Sequence, residues 1–63
     1  MRFTVYKSSR LAAAGIHRAT IEDALDTALP LMRTPGSVRI EDHQTGNIYK
    51  DGDILELKKM LDA

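Results

Sequence analysis

Cysteine and tryptophan are absent from this 63-residue chain, and its aromatic residues are two tyrosines and one phenylalanine. The lack of cysteine excludes disulfide bonds, thiolate zinc sites and thiol catalysis within the chain. Two histidines far apart in sequence make a poor metal site without cysteine. We therefore expect no metal ion and no other cofactor.

Long apolar runs are also missing. No segment approaches the roughly 20 apolar residues that a membrane-spanning helix needs. The first residues alternate between polar and apolar side chains, which is not the pattern of a secretory signal. With 43% hydrophobic and 29% charged residues, the composition is that of a globular domain. We expect a single domain over residues 1–63, a cytoplasmic location and no membrane partner.

Catalytic motifs are the third absence. The chain has no phosphate-binding glycine loop, no H-E-x-x-H and no G-x-S-x-G. We therefore expect that the protein is not an enzyme, and we identify no catalytic residue and no small-molecule substrate. An alternative rests on His17 and His43, because histidine titrates near neutral pH. Each could act as a general base in an RNA-cleaving site beside an arginine or lysine, or simply be a half-exposed strand residue.

The small size of the chain limits its stability. A domain of this length buries only about 60% of the surface that it exposes when unfolded. Small folds usually add a disulfide, a metal or a partner subunit. Since a disulfide is excluded and a metal site is poor here, we expect a homodimer or a complex with another protein.

The charges are balanced overall but unevenly placed. The net charge is zero, yet residues 1–21 contain four basic residues and no acid, and residues 22–63 contain nine acids and five bases. Chance and folding explain this distribution adequately. The alternative is a basic patch on the N-terminal strands that faces an anionic partner.

A helical period dominates the middle of the chain. Apolar residues recur at helical spacing along one face, at Ile21, Ala24, Leu25, Ala28, Leu29 and Met32. Thr20 with Asp23 predicts an N-cap, and Thr34-Pro35-Gly36 predicts the end. The central helix should span about residues 20–33, with Leu25 and Leu29 at the centre of the core. Because Pro30 disrupts regular helix, we expect a kink at Leu29–Pro30.

The rest of the chain reads as strands and a last helix. Residues 1–8 alternate, with Phe3 and Val5 on one face. Residues 11–18 are predicted as a second strand, although a short helix over residues 11–15 remains an alternative. Residues 37–44 and 47–50 should form a hairpin, with Ile48 inward and Tyr49 outward. Asp53 should cap a helix over about residues 53–62.

These elements predict the fold class. The order is β-β-α-β-β-α, so we expect an α+β two-layer sandwich in which an antiparallel four-stranded sheet carries the central helix and a short C-terminal helix on one face. The strand order is not fixed by the sequence.

The sheet face without helices is the candidate binding surface. Parity places Thr4 and Glu41 on it together with the candidate binding residues Arg2, Tyr6, Arg39, His43 and Tyr49. Three interpretations fit these residues: a solvated face, a protein interface, where tyrosine and arginine are enriched, and a platform on which tyrosines stack on unpaired bases. We expect a protein-interaction or binding module that self-associates. The alternatives are a nucleic-acid-binding protein and, more distantly, a small ribonuclease.

Three segments carry a resemblance. The first is the alternating strand F-T-V-Y, the second is the T-x-E-x-A-L helix that starts at Thr20, and the third is the V-x-I-x-D-x-x-T-G-x-I-Y hairpin that starts at Val38. In these segments the chain resembles small stand-alone bacterial proteins of unknown function, which form no characterised family. The resemblance implies a bacterial or phage origin and no particular activity.

Overall fold

The fold is an open four-stranded antiparallel sheet with two helices, as the α+β prediction states. The computed structural model describes residues 1–8 and 13–62. The elements in chain order are β1 (Phe3–Ser8), β2 (Ala13–Arg18), α1 (Ile21–Leu31), β3 (Ser37–Asp42), β4 (Ile48–Lys50) and α2 (Asp51–Asp62). The strand order is β2-β1-β3-β4, so β1 and β3 are central and β2 and β4 are the two edges.

One face of the sheet supplies most of the core. Phe3 and Val5 of β1 lie on this face, as their alternation predicts, and Val38 and Ile40 of β3 join them. The helices cover this face with three residues of α1 and with Ile54 of α2. The buried apolar set among the described residues is Phe3, Val5, Ala24, Leu25, Ala28, Val38, Ile40 and Ile54.

The start of α1 follows the predicted capping pattern. Thr20 has an extended backbone, and its Oγ1 accepts a hydrogen bond from the Asp23 backbone N–H at 3.2 Å. A threonine cap of this kind contributes about 1 kcal/mol. Leu25 is buried in the core as predicted, but Leu29 is only half-buried. The small residues Ala24 and Ala28 share the centre with Leu25, because they allow the helix to approach the sheet closely.

The end of α1 lies close to Pro30. The helix includes Pro30 and ends one residue later at Leu31, two residues short of the predicted end. Proline lacks the N–H that would bond to residue 26, but the Met32 N–H still bonds to the Ala28 carbonyl at 3.0 Å. The Lys7 ammonium donates to the carbonyls of Leu31 at 3.1 Å and of Thr34 at 3.0 Å. A cation at the carbonyl end of a helix is favourable for its dipole.

The second helix begins earlier than predicted. α2 starts at Asp51, directly after β4, so the prediction that Asp53 is its N-cap is wrong. Gly52 lies in the first turn of α2, where a glycine costs only about 1 kcal/mol. The Asp51 carboxylate accepts the Val38 backbone N–H at 3.2 Å and so ties the start of α2 to β3.

The strand prediction for the second segment is confirmed where the structure describes it. β2 spans Ala13–Arg18 and pairs with β1 in an unbroken antiparallel register, from Ser8 opposite Ala13 to Phe3 opposite Arg18. Residues 11 and 12, on which the helical alternative also depends, lie outside the described residues.

The predicted facing of β4 is wrong. In the β3–β4 hairpin, Ile40 is opposite Tyr49 and Glu41 is opposite Ile48. Since Ile40 faces the core, Tyr49 lies on the helix side, half-buried against the core, and Ile48 is 52% exposed. A one-residue difference in register turns every side chain of a strand to the other face, and β3 ends at Asp42, two residues earlier than predicted.

No helix of the described chain is long and apolar enough to cross a membrane.

Leucine-to-alanine substitutions should separate the two sides of this architecture. Leu25 is 2% exposed, whereas Leu55 on α2 is 56% exposed. We expect Leu25→Ala to lower the free energy of unfolding by about 2–5 kcal/mol, because it leaves a cavity. Leu55→Ala, the matched control, should change it by less than about 0.5 kcal/mol. Urea denaturation followed by circular dichroism measures both, and equal losses would contradict the described core.

Gly36 should tolerate no side chain. Its φ is +120°, and a Cβ built on it would lie 2.4 Å from the Ser8 carbonyl oxygen. We expect Gly36→Ala to lower the free energy of unfolding by more than about 1 kcal/mol. Gly52 is the control, because its Cβ would meet nothing within 4 Å. In a helix, Gly52→Ala should stabilise by about 0.5–1 kcal/mol. Effects of the same sign in urea denaturation would show that the Gly36 backbone is misplaced.

Candidate functional site

Three of the five candidate binding residues lie together on the open face. Tyr6 of β1 is opposite Arg39 of β3, and the Arg39 guanidinium carbon is 4.6 Å from the centre of the Tyr6 ring. Arg39 Nε also donates to the Glu41 carboxylate at 3.0 Å. His43 comes directly after the last residue of β3, and its backbone N–H donates to the Arg2 carbonyl at 2.8 Å. The open face is therefore an ordered polar network.

The centre of this face is a buried hydroxyl held between two histidines. Thr4 is only 1% exposed although it lies on the face of the sheet that points away from the helices. Its Oγ1 is 3.1 Å from His17 Nδ1 and 2.6 Å from His43 Nε2. His17 comes from β2 and His43 from the chain after β3, so two segments that are 26 residues apart meet on one atom of β1. Both histidines are exposed to solvent.

The number of protons on the hydroxyl and the two imidazoles determines which hydrogen bonds this arrangement can form. A hydroxyl carries one proton, and a neutral imidazole has one N–H and one bare nitrogen. When the Thr4 hydroxyl donates to one histidine, it accepts from the other. The two ring nitrogens that do not touch Thr4 then have opposite roles, one donor and one acceptor. The cluster (His17, Thr4 and His43) thus joins an acid and a base through a buried oxygen. Among the described residues, no group of three His, Cys, Asp or Glu side chains is arranged to hold a metal ion.

Arg2, the fourth candidate, is engaged elsewhere. Its Nε and Nη2 donate to the two carboxylate oxygens of Asp42, each at 3.0 Å. Its guanidinium carbon lies 5.0 Å from the centre of the Phe3 ring. Asp42 is 3% exposed and also accepts the Gln44 backbone N–H at 3.0 Å. The hydrogen bonds from Arg2 hold the pKa of the Asp42 carboxyl well below its ordinary range.

The fifth candidate, Tyr49, lies on the helix side of the sheet. The open face therefore brings together Tyr6, Arg39 and His43, and not Arg2 or Tyr49. A pair of stacking tyrosines is not assembled on it, because Arg39 already stacks on Tyr6 and Tyr49 faces the other way.

Sequence reasoning missed the residues that organise this face. Thr4 was placed on it but given no role, and His17 was left off the surface. The alternation of β1 and β2 could have found both, because an antiparallel pairing of the two strands puts Thr4 opposite His17. Asp42 was also missed. Its position three residues before Thr45 and four before Gly46 is a signal for a side chain that bonds to the backbone of a turn.

The Arg2–Asp42 pair predicts a specific acid sensitivity. Because the folded-state pKa of Asp42 is lowered, the unfolded chain binds this proton at a higher pH than the folded chain does. The stabilisation is therefore fully present above about pH 5 and is lost as the pH falls from there. Asp42→Asn should flatten the decline of unfolding free energy with falling pH, and Arg2→Gln should flatten it similarly. Urea denaturation between about pH 6 and pH 2 measures the slopes; an unchanged slope in both variants would refute the pairing.

Comparisons with known proteins leave the geometry as the basis for assigning function. No family model matches the chain, and neither a curated protein nor a solved structure does. This outcome agrees with the expectation that the chain belongs to no characterised family.

Proposed function

We propose that this protein is a small interaction module of the bacterial cytoplasm that self-associates, with a second copy pairing along the free edge of β2. The observation that supports this proposal is the state of that edge. β2 is a regular six-residue strand that has, among the described residues, a strand neighbour on one side only.

The backbone of β2 supplies the binding groups. In an antiparallel ladder, the N–H and C=O of every second residue point away from the neighbouring strand. On an edge strand these groups form a row that is ready to pair with another chain. The register of β2 with β1 is continuous over six residues, so no bulge interrupts that row.

Within residues 13–18, β2 itself lacks the usual protections of an edge strand. Proteins protect edges with short strands, bulges, prolines or charges that project from the edge. β4 fits this description, with only three residues. β2 has no proline and no break in register. Its one permanent charge, Arg18, is turned away, because its Nε donates to Thr27 of α1 at 2.8 Å.

Two copies of β2 can pair by two-fold symmetry. An isologous contact uses the same surface on both subunits, and antiparallel strands present identical hydrogen-bonding rows to each other. An axis perpendicular to the sheet keeps the helices of both copies on one side. Ile16, half-buried on that side of β2, would then meet apolar surface across the axis. The result is one eight-stranded sheet with a shared core layer.

A second surface suits a different protein partner. Three large apolar side chains around α2 and β4 are strongly exposed, at 52% for Ile48, 56% for Leu55 and 69% for Met60. A cavity of about 380 Å³ lies between β4 and α2, with Ile48, Leu57 and Met60 among its apolar lining and Asp53 and Glu56 as its acids. This surface offers apolar contact but only a three-residue strand edge for backbone pairing. We therefore rank it below the β2 edge as the proposed interface.

The test compares one substitution at the two edges. Ile16→Lys places a charge on the helix side of the β2 edge, and Ile48→Lys places one on the open-face side of the β4 edge. Sedimentation equilibrium over a wide concentration range should show the unmodified 7.0 kDa chain approaching twice its mass. Ile16→Lys should raise the dissociation constant at least tenfold, which corresponds to about 1.4 kcal/mol. Ile48→Lys should leave it unchanged.

Hydrogen exchange keeps the test decisive if Ile16→Lys does not fold. In the unmodified protein, the outward amides of β2 should become more protected as concentration rises, while those of β4 should not. A chain that is monomeric at all concentrations contradicts the proposal. An effect confined to Ile48→Lys, with constant exchange in β2, transfers the interface to the α2–β4 surface.

A further inference from the structure

We propose that His17 and His43, joined through the Thr4 hydroxyl, form an acid–base pair that cleaves single-stranded RNA. The inference is independent of self-association, because all three residues belong to one copy. It builds on the one place where the fold brings both titratable side chains of the neutral range to a single atom.

The positions of the three residues suit a reaction at the surface. Thr4 is 1% exposed and lies in the central strand β1, so its oxygen is fixed. Each histidine uses one ring nitrogen for Thr4 and is itself exposed. The bonded nitrogens are separated by no more than two hydrogen-bond lengths. In this proposal, one phosphodiester group lies against the outer nitrogens of both rings, His17 Nε2 and His43 Nδ1.

The chemistry follows from the coupled tautomers. The histidine with the bare outer nitrogen takes the proton of a ribose 2′-hydroxyl, and the 2′-oxygen forms a bond to phosphorus. The bond from phosphorus to the 5′-oxygen breaks, and the outer N–H of the other histidine protonates that oxygen. The products are a 2′,3′-cyclic phosphate and a 5′-hydroxyl.

Thr4 lets the pair complete this cleavage step without a net change in the charge of either imidazole. As the first histidine gains an outer proton, its inner proton moves to Thr4 Oγ1, and the hydroxyl proton moves to the inner nitrogen of the second. Both imidazoles end neutral, with their roles exchanged. The first is now the acid and the second the base. No oxidant, metal or other reactant enters this balance.

RNA is the substrate that this surface and this chemistry favour. The cluster lies on an open sheet face, which accepts an extended strand. In the neighbouring row of the sheet, which runs through Tyr6, Lys50 of β4 is opposite Arg39, and both face the solvent. Glu41 is balanced by its ion pair with Arg39, so Lys50 leaves the local charge positive for phosphates. The reaction needs the 2′-hydroxyl, which separates RNA from DNA.

The experiment uses the full chain and a fluorescent oligouridine in a buffer with EDTA. We expect cleavage with 2′,3′-cyclic phosphate ends, detected by mass spectrometry, and no cleavage of the matching 2′-deoxy oligomer. His17→Gln and His43→Gln should each lower the rate by about 100-fold or more. Gln44→Ala, an exposed neighbour of His43, is the matched control and should keep the full rate. Circular dichroism verifies that each variant is folded.

Thr4 variants test the relay itself. Thr4→Ser should retain the rate within about threefold, and Thr4→Val, of the same shape, should lose at least about tenfold. The pH profile should also change, because the uncoupled pair works only when one histidine is protonated and the other is not. Thr4→Val should therefore lose its activity on the alkaline side, where the coupled neutral pair stays active. The other ionisable side chains on this face are Tyr6, Arg39, Glu41 and Lys50.

Three results would overturn the proposal. The first is a folded protein that yields no cyclic phosphate above the buffer background, even if it binds the oligomer. The second is cleavage that both histidine variants retain, which would identify a contaminating nuclease. The third is a Thr4→Val variant with an unchanged rate and pH profile, which would remove the relay. Sedimentation of the same samples measures self-association separately.

Discussion

The supply of apolar surface is the constraint on which this structure depends. Eight buried apolar residues among those described make up the core, and they cover one face of the sheet. A chain of 63 residues that uses its helices on one side leaves the other side to polar contacts. Every buried polar atom there needs a partner, because an unpaired one costs about 1–3 kcal/mol. Within the described residues, every buried side-chain nitrogen and oxygen has a partner.

The polar clusters are the consequence of that constraint. Thr4 is buried on the uncovered face, where no helix can cover it, and the rings of His17 and His43 cover it instead. On the helix side, Asp42 is buried opposite Phe3 at the end of β3, and it takes the Arg2 guanidinium as its partner. In both places a strand residue becomes buried because long polar side chains fold over it. The side chains that satisfy the fold are then the ones on which the proposed surface chemistry depends.

Sequence reasoning was most successful where a single element decides the outcome. The period of α1 and the Thr20 cap are local signals, and the helix begins where they predict. The α+β class followed from the element order for the same reason. Tyr49 was assigned to the wrong face because its facing depends on which residue of β3 it meets, and a three-residue strand has too short an alternation to show this. The prediction that Asp53 caps α2 was wrong because the helix starts at Asp51, whose carboxylate accepts a backbone N–H of β3, a contact between residues distant in sequence.

The candidate site could not be predicted for a related reason. His17 and His43 each occupy an ordinary alternating position, and neither is informative alone. They meet only because β1 lies between β2 and β3, an order that the hydrophobic pattern does not set. The same order makes β2 an edge, so His17 sits on the strand with one free side. If that side paired with a second copy, backbone hydrogen bonds on both sides of β2 would fix the strand and with it His17. The edge and the histidine cluster are thus two results of one strand order, and the position of β2 links the proposed self-association to the proposed RNA cleavage.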